Sequence, residues 1–93
     1  MQIVQPRDWA AIAEEQITVT TVQYLTAASI KGANSALIIP ETNAVRWSAL
    51  SAPTASAGMP LAVGESLWIR MPLDELRFVS VTGVAKINCI YFR

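Results

Sequence analysis

Between residues 17 and 93, the apolar residues of this 93-residue chain recur mostly at every second position. Runs with that spacing are cut short by Gly, Pro, Asn and Asp. A spacing of two places alternate side chains on opposite faces of a strand, whereas a helix needs a spacing near 3.6. Residues 17–23, ITVTTVQ, set Ile17, Val19 and Thr21 against Thr18, Thr20 and Val22, and Tyr24 and Leu25 extend the run. Residues 27–35 supply small residues and Gly32 for a loop. Residues 36–39 then form a strand closed by Pro40, followed by a tight turn at 41–43. In residues 44–50, Val45, Trp47 and Ala49 share one face, and Arg46 and Ser48 share the other.

Later in the chain Leu67 and Ile69 oppose Trp68 and Arg70, Pro72 ends that strand, and LDEL at 73–76 reads as a single turn or bend. RFVSV at 77–81, a turn at Thr82 and Gly83, and residues 84–93 read as a closing hairpin. These are about seven strands, spaced roughly eight to twelve residues apart with no helix between them. The pattern predicts an all-β fold, an antiparallel β-sandwich or jelly-roll-like barrel, rather than βαβ units.

Residues 1–16 differ. Asp8 can cap a helix, and Trp9, Ile12 and Ala13 fall at i, i+3 and i+4. The expectation is an N-terminal arm with a short helix over 1–16, and a β domain over 17–93. Two turns of helix are marginal alone, so this piece must lie on the β domain or on a partner.

The most distinctive stretch is residues 46–64, RWSALSAPTASAGMPLAVG. After Arg46 it has no charge, and Pro53, Gly58, Pro60 and Gly64 fix its path between Trp47 and Trp68. It lacks histidine, carboxylate and any phosphate-cradling glycine pattern, so it is suited to shape and contact rather than chemistry. Two prolines, two glycines and three serines argue against a membrane span.

Composition agrees. Charged residues are 15% of the chain, against roughly 25% in an average soluble protein. Apolar residues reach 53%, fourteen of them alanine. A small domain has much surface for its volume and here few ionic groups to cover it, so part of that surface is expected to be buried in a homo-oligomer or a larger assembly. The formal net charge is zero, which gives no basis for capturing nucleic acid or an anionic membrane. Residues 1–16 contain Asp8, Glu14 and Glu15 and no apolar signal-peptide core. A soluble protein made in a reducing cytoplasm is expected.

Catalysis has little to work with. There is no histidine, and the single cysteine, Cys89, sits mid-strand without a base, so it reads as a buried structural thiol. The neighbouring pairs Glu14–Glu15 and Asp74–Glu75 do not converge, and the serines of residues 51–56 have no nucleophile elbow. No enzyme activity, cofactor or metal is expected. Two alternatives stay open for the last strand, where Val84, Ile90 and Phe92 make a second apolar face opposite Ala85, Ile87, Cys89 and Tyr91. Either it lies centrally in its sheet under the N-terminal segment, or its outer face meets another subunit.

Three pieces of the second half, RW at 46–47, APTASAGMPLAVGE at 52–65 and LDELRFVSVTGVAKINCIYFR at 73–93, resemble small virion proteins of tailed bacteriophages. The resemblance implies a particle component of the capsid decoration (cement) type. Such a protein is a β-sandwich or jelly-roll module that trimerises and binds the outside of the head, with the major capsid protein or another virion protein as partner. It also implies a virion location after synthesis in the bacterial cytoplasm. The alternative is a carbohydrate- or receptor-binding β module of a tail fibre or tailspike. Candidate interface residues are Trp9, Ile12, Arg46, Trp47, Pro53, Thr54, Trp68, Ile90 and Phe92.

Overall fold

Strand β1 (Ala11–Val19) begins six residues before the period-two pattern was expected to start, and it decides how the rest is arranged. The computed structural model describes residues 10–93. The elements that follow are β2 (Gln23–Tyr24), α1 (Ala27–Ile30), β3 (Ser35–Pro40), β4 (Val45–Ser48), β5 (Met59–Leu61), β6 (Leu67–Arg70), a 3-10 turn (Leu73–Glu75), β7 (Arg77–Ser80) and β8 (Ala85–Phe92). The chain is mostly β and forms two four-stranded antiparallel sheets. Sheet A has the order β1-β8-β3-β6, and sheet B has the order β2-β7-β4-β5.

Residues 11–16 are therefore strand where a helix was expected, and residues 1–9 lie outside the described residues. Ile12 and Ala13, expected on one helical stripe with Trp9, are consecutive residues of a strand rather than neighbours on a helix face. The true alternation is Ala13, Glu15, Ile17 and Val19, each opposite an inward residue of β8: Tyr91, Cys89, Ile87 and Ala85. A two-turn helix gains little by itself, whereas this ladder pairs eight residues with a buried neighbour. The boundary expected between residues 16 and 17 falls inside β1.

Two further expectations change. The run from Ile17 does not continue to Leu25: it bends at residues 20–22, and Gln23–Tyr24 joins the other sheet. That split makes eight strands among the described residues, against about seven expected. Strands β7 and β8 are also not a hairpin. β7 pairs with β2 and β4, while β8 pairs with β1 and β3, so residues 81–84 cross from one sheet to the other. Both edges of β8 offer better partners, and the Val81 N–H donates to the Ala44 carbonyl on the β4 side.

One hydrophobic core draws on both sheets. Sheet A contributes Val19, Ala36, Ile38, Ala85, Ile87 and Tyr91, and sheet B contributes Val45, Leu61 and Phe78. Leu25, Ile30, Leu73 and Leu76 close the end occupied by α1 and the 3-10 turn. The expected faces of β6 and β8 hold. Leu67 and Ile69 pack towards the core, as do Ala85, Ile87, Cys89 and Tyr91. The radius of gyration, 12.3 Å, is that of one compact domain of this length.

Candidate functional site

Two apolar surfaces stand out, one on each sheet, and each is shaped by a few identifiable side chains.

The first is the loop between β4 and β5, residues 49–58. Arg46 points outward from β4 and folds over it. Its Nε–H donates to the Ala55 carbonyl at 3.2 Å, and its Nη1–H donates to the Gly58 carbonyl at 2.9 Å. Ser48 Oγ accepts from the Leu50 and Ser51 N–H groups, both at 3.3 Å. At the other end of the loop, Thr54 and Ala57 exchange backbone hydrogen bonds. Pro53 is buried beneath. Gly58 has a φ of +126°, and a Cβ there would meet Pro53 Cβ at 3.0 Å and the Trp47 carbonyl at 3.2 Å. Only glycine fits that close approach without displacing the backbone. The loop is thus held at both ends and beneath, yet it presents Leu50 to solvent at 93% exposure, with Met59 and Val63 also exposed nearby in sequence.

The second surface is the outer face of sheet A. Trp68 and Phe92 lie on β6 and β8, which are separated by β3, and their ring centroids are 5.7 Å apart. Beside them a groove of about 430 Å³ runs over the sheet, with Leu37, Ile39 and Ile90 on its apolar side. Its polar side is fixed: Gln16 Nε2 donates at 3.0 Å both to Glu41 Oε2 and to Asn88 Oδ1. Glu14 joins this rim.

The candidate residues divide between the two surfaces. Arg46, Trp47, Pro53 and Thr54 belong to the β4–β5 unit, where Trp47 is half-buried against the core and Pro53 is buried. Thr54 is exposed. Trp68, Ile90 and Phe92 lie on the outer face of sheet A, with Phe92 buried and the other two half-buried. Ile12 stands apart near a bulge in β1, exposed, and Trp9 lies outside the described residues. Sequence reasoning missed Leu50 and the groove residues Gln16, Ile39 and Asn88. The available signal for Leu50 was its isolation, as one bulky aliphatic among small uncharged residues.

A third cluster is structural. Glu15, on the core side of β1, accepts a hydrogen bond from the Tyr91 hydroxyl and one from the Thr26 N–H at 3.4 Å, tying β1, β8 and the start of α1 together. Burial holds the Tyr91 phenol well above its usual range, with the neighbouring Cys89 as the next cause. Burial also pushes the Cys89 thiol up to about 12, only partly offset by its hydrogen bond with Tyr91. A thiol so far from ionising is a poor nucleophile. On sheet B the Arg77 guanidinium lies 5.5 Å from the centre of the Tyr24 ring, an attractive cation–π contact.

Among the described residues, no group of three or more His, Cys, Asp or Glu side chains is placed to hold a metal ion. No helix among them is long and apolar enough to cross a membrane. No protein-family model, curated protein or solved structure matches this chain.

Proposed function

We propose that this chain is a non-enzymatic structural subunit of a tailed-bacteriophage virion. In this reading it is a trimeric decoration (cement) protein that binds the outside of the head and stabilises it, with the major capsid protein as its larger partner. The fold class we assign within this proposal is a jelly roll. Its support is the nested pairing of strands: β1 with β8, β2 with β7, β3 with β6 and β4 with β5. Jelly rolls of eight strands in two sheets recur in viral capsid and lectin domains, and that link is an analogy between folds. The resemblance of residues 46–47, 52–65 and 73–93 to phage virion proteins points the same way.

The observation that carries the assembly part is the β4–β5 loop. A loop pinned by Arg46, Ser48 and Gly58 has already lost its conformational freedom, so contact through Leu50 and its neighbours incurs little further ordering cost. Contiguous exposed apolar surface marks contact sites, and Leu50, Met59 and Val63 are bulky apolar residues exposed within residues 50–63. The carbohydrate- or receptor-binding alternative has weaker support. Trp47 and Trp68 lie in different sheets, each is half-buried, and together they offer no flat platform.

The test is light scattering of the purified chain, followed by co-sedimentation with phage heads stripped of their decoration protein. The expected result is a mass three times the 10.1 kDa chain and saturable binding to heads. A monomer with no affinity for heads overturns the proposal, and a glycan-array signal from such a monomer would favour the alternative.

A further inference from the structure

The two apolar surfaces are complementary, and they lie on different parts of the same molecule. We propose that Leu50 of one copy inserts into the sheet A groove of the next copy, so that the chain associates head to tail through two unlike patches. This rests on the reading of the chain as a self-assembling subunit and specifies which surfaces meet.

Shape argues for it first. Leu50 is flanked by Ala49 and Ser51 and is 93% exposed, a single branched side chain standing clear of small neighbours. The groove, about 430 Å³, offers the half-buried Ile39 and Ile90 over a buried Leu37, an apolar seat for such a side chain and its small flanks.

Charge argues for it next. Between Glu41 and Glu65 the chain carries one charged residue, Arg46, and its guanidinium lies on the loop that presents Leu50. The strands of sheet B contain no carboxylate, and their other charged residue is Arg77. The charged residues lining the groove are instead Glu14 and Glu15, with Glu41 held beside it through Gln16 and Lys86 further along the same face of β8. A cationic loop thus meets an acidic rim, which orients the approach and disfavours loop-to-loop contact.

The symmetry follows from the chemistry. A contact between unlike patches is heterologous. It closes into a ring when the rotation between copies divides a full turn, and otherwise grows into an open filament. A closed ring of three is the form that fits the proposed trimer. Each copy then gives one Leu50 and receives one.

Two measurements test this. In the first, the Leu50→Asp chain is compared with the parent by light scattering at matched concentrations, with circular dichroism to confirm folding. The substitution sits at a solvent-exposed position, so the fold is expected to persist while self-association weakens by about a hundredfold. In the second, a Leu50→Cys chain and an Ile90→Cys chain, each also carrying Cys89→Val to remove the native thiol beside the groove, are oxidised separately and together. Cross-linking is expected in the mixture and not in either chain alone.

Undiminished association of the folded Leu50→Asp chain overturns the inference, as does cross-linking of the Leu50→Cys chain to itself. So does loss of association on changing Ile90 but not Leu50, since another occupant then fills the groove. All three leave the self-assembly reading standing. A parent chain that stays monomeric at every concentration overturns both.

Discussion

The rings of Trp68 and Phe92 meet over β3, 5.7 Å apart, although their strands are not neighbours in the sheet. Ser35 and Leu37 lie on the same outer face of β3, opposite Phe92 and Trp68 in register, and both are buried. An outer sheet face is ordinarily the wet one. Here two aromatic side chains lean across it and make a second, smaller apolar layer. Replacing Phe92 by Ala is therefore expected to cost about 3–4 kcal/mol, close to a true core position. A double-mutant cycle with Trp68→Ala is expected to give a coupling of about 0.5–1.5 kcal/mol in urea unfolding. Strict additivity of the two changes would show that the rings do not support one another.

Gly58 is the position where the β4–β5 loop is least tolerant. Gly58→Ala adds a methyl 3.0 Å from Pro53 Cβ and 3.2 Å from the Trp47 carbonyl, at a φ of +126°. The expected loss is about 2–4 kcal/mol, strain and clash together. Gly64→Ala, with the same kind of φ but open space around it, is expected to lose only about 1 kcal/mol. Equal losses at the two sites, read from denaturant midpoints, would show that the close approach at Gly58 does not matter.

Arg46→Lys tests whether the guanidinium fork matters. A lysine keeps the charge but cannot reach the Ala55 and Gly58 carbonyls with two fixed donors. A stability loss of about 1 kcal/mol is expected, since these bonds are solvent-exposed. The larger change is expected in proteolysis, with faster cleavage within residues 50–57. A cleavage rate equal to that of the parent would mean that Arg46 does not hold the loop.

Alkaline pH is expected to destabilise the fold through Cys89 and Tyr91. Burial raises both acid groups in the folded chain, Cys89 from 9.0 to about 12, so the folded state retains a proton that the unfolded state gives up. The stabilisation is complete below about pH 9 and is lost as pH rises from 9 towards 12. Thermal melts between pH 8 and 11 are expected to show a falling midpoint. The slope should be shallower in a Cys89→Val chain. A midpoint independent of pH over that range would remove these two groups from the account.

Deleting residues 1–16 is expected to abolish cooperative unfolding. The cut removes residues 11–16 of β1, leaves the β8 edge open and takes away Glu15, the partner of the Tyr91 hydroxyl. A sharp melting transition in that chain would mean that β1 is dispensable.

How much of this was legible in the sequence depended on where each residue finds its partner. Faces were readable wherever alternation ran unbroken: Leu67 and Ile69 against Trp68 and Arg70, or Ala85 through Tyr91 on β8. Those patterns are local, and they gave the mostly-β, antiparallel class. Partners far along the chain were not readable. Glu15 looks like a helix-surface residue until Tyr91 and the Thr26 N–H are placed beside it. β7 and β8 look like a hairpin because one turn separates them, yet each pairs instead with a strand far earlier in the chain, β7 with β4 and β8 with β3. Trp68 and Phe92 were both singled out, but no spacing rule joins residues that meet over an intervening strand. Among the candidate residues, Arg46 and Pro53 proved to shape the loop, whereas its most exposed apolar residue was passed over.

The position of β8 between β1 and β3 has a kinetic consequence. Until residues 85–92 are in place, β1 has no partner in its sheet, and β3 and β6 form an isolated pair. Sheet A therefore cannot be completed until the end of the chain is in place, and long-range pairings of this kind are slow to form. The groove is also built from β1, β3 and β8, so a half-made polypeptide has no such groove. On the proposed head-to-tail contact, completing the fold and gaining the surface for self-association become one event.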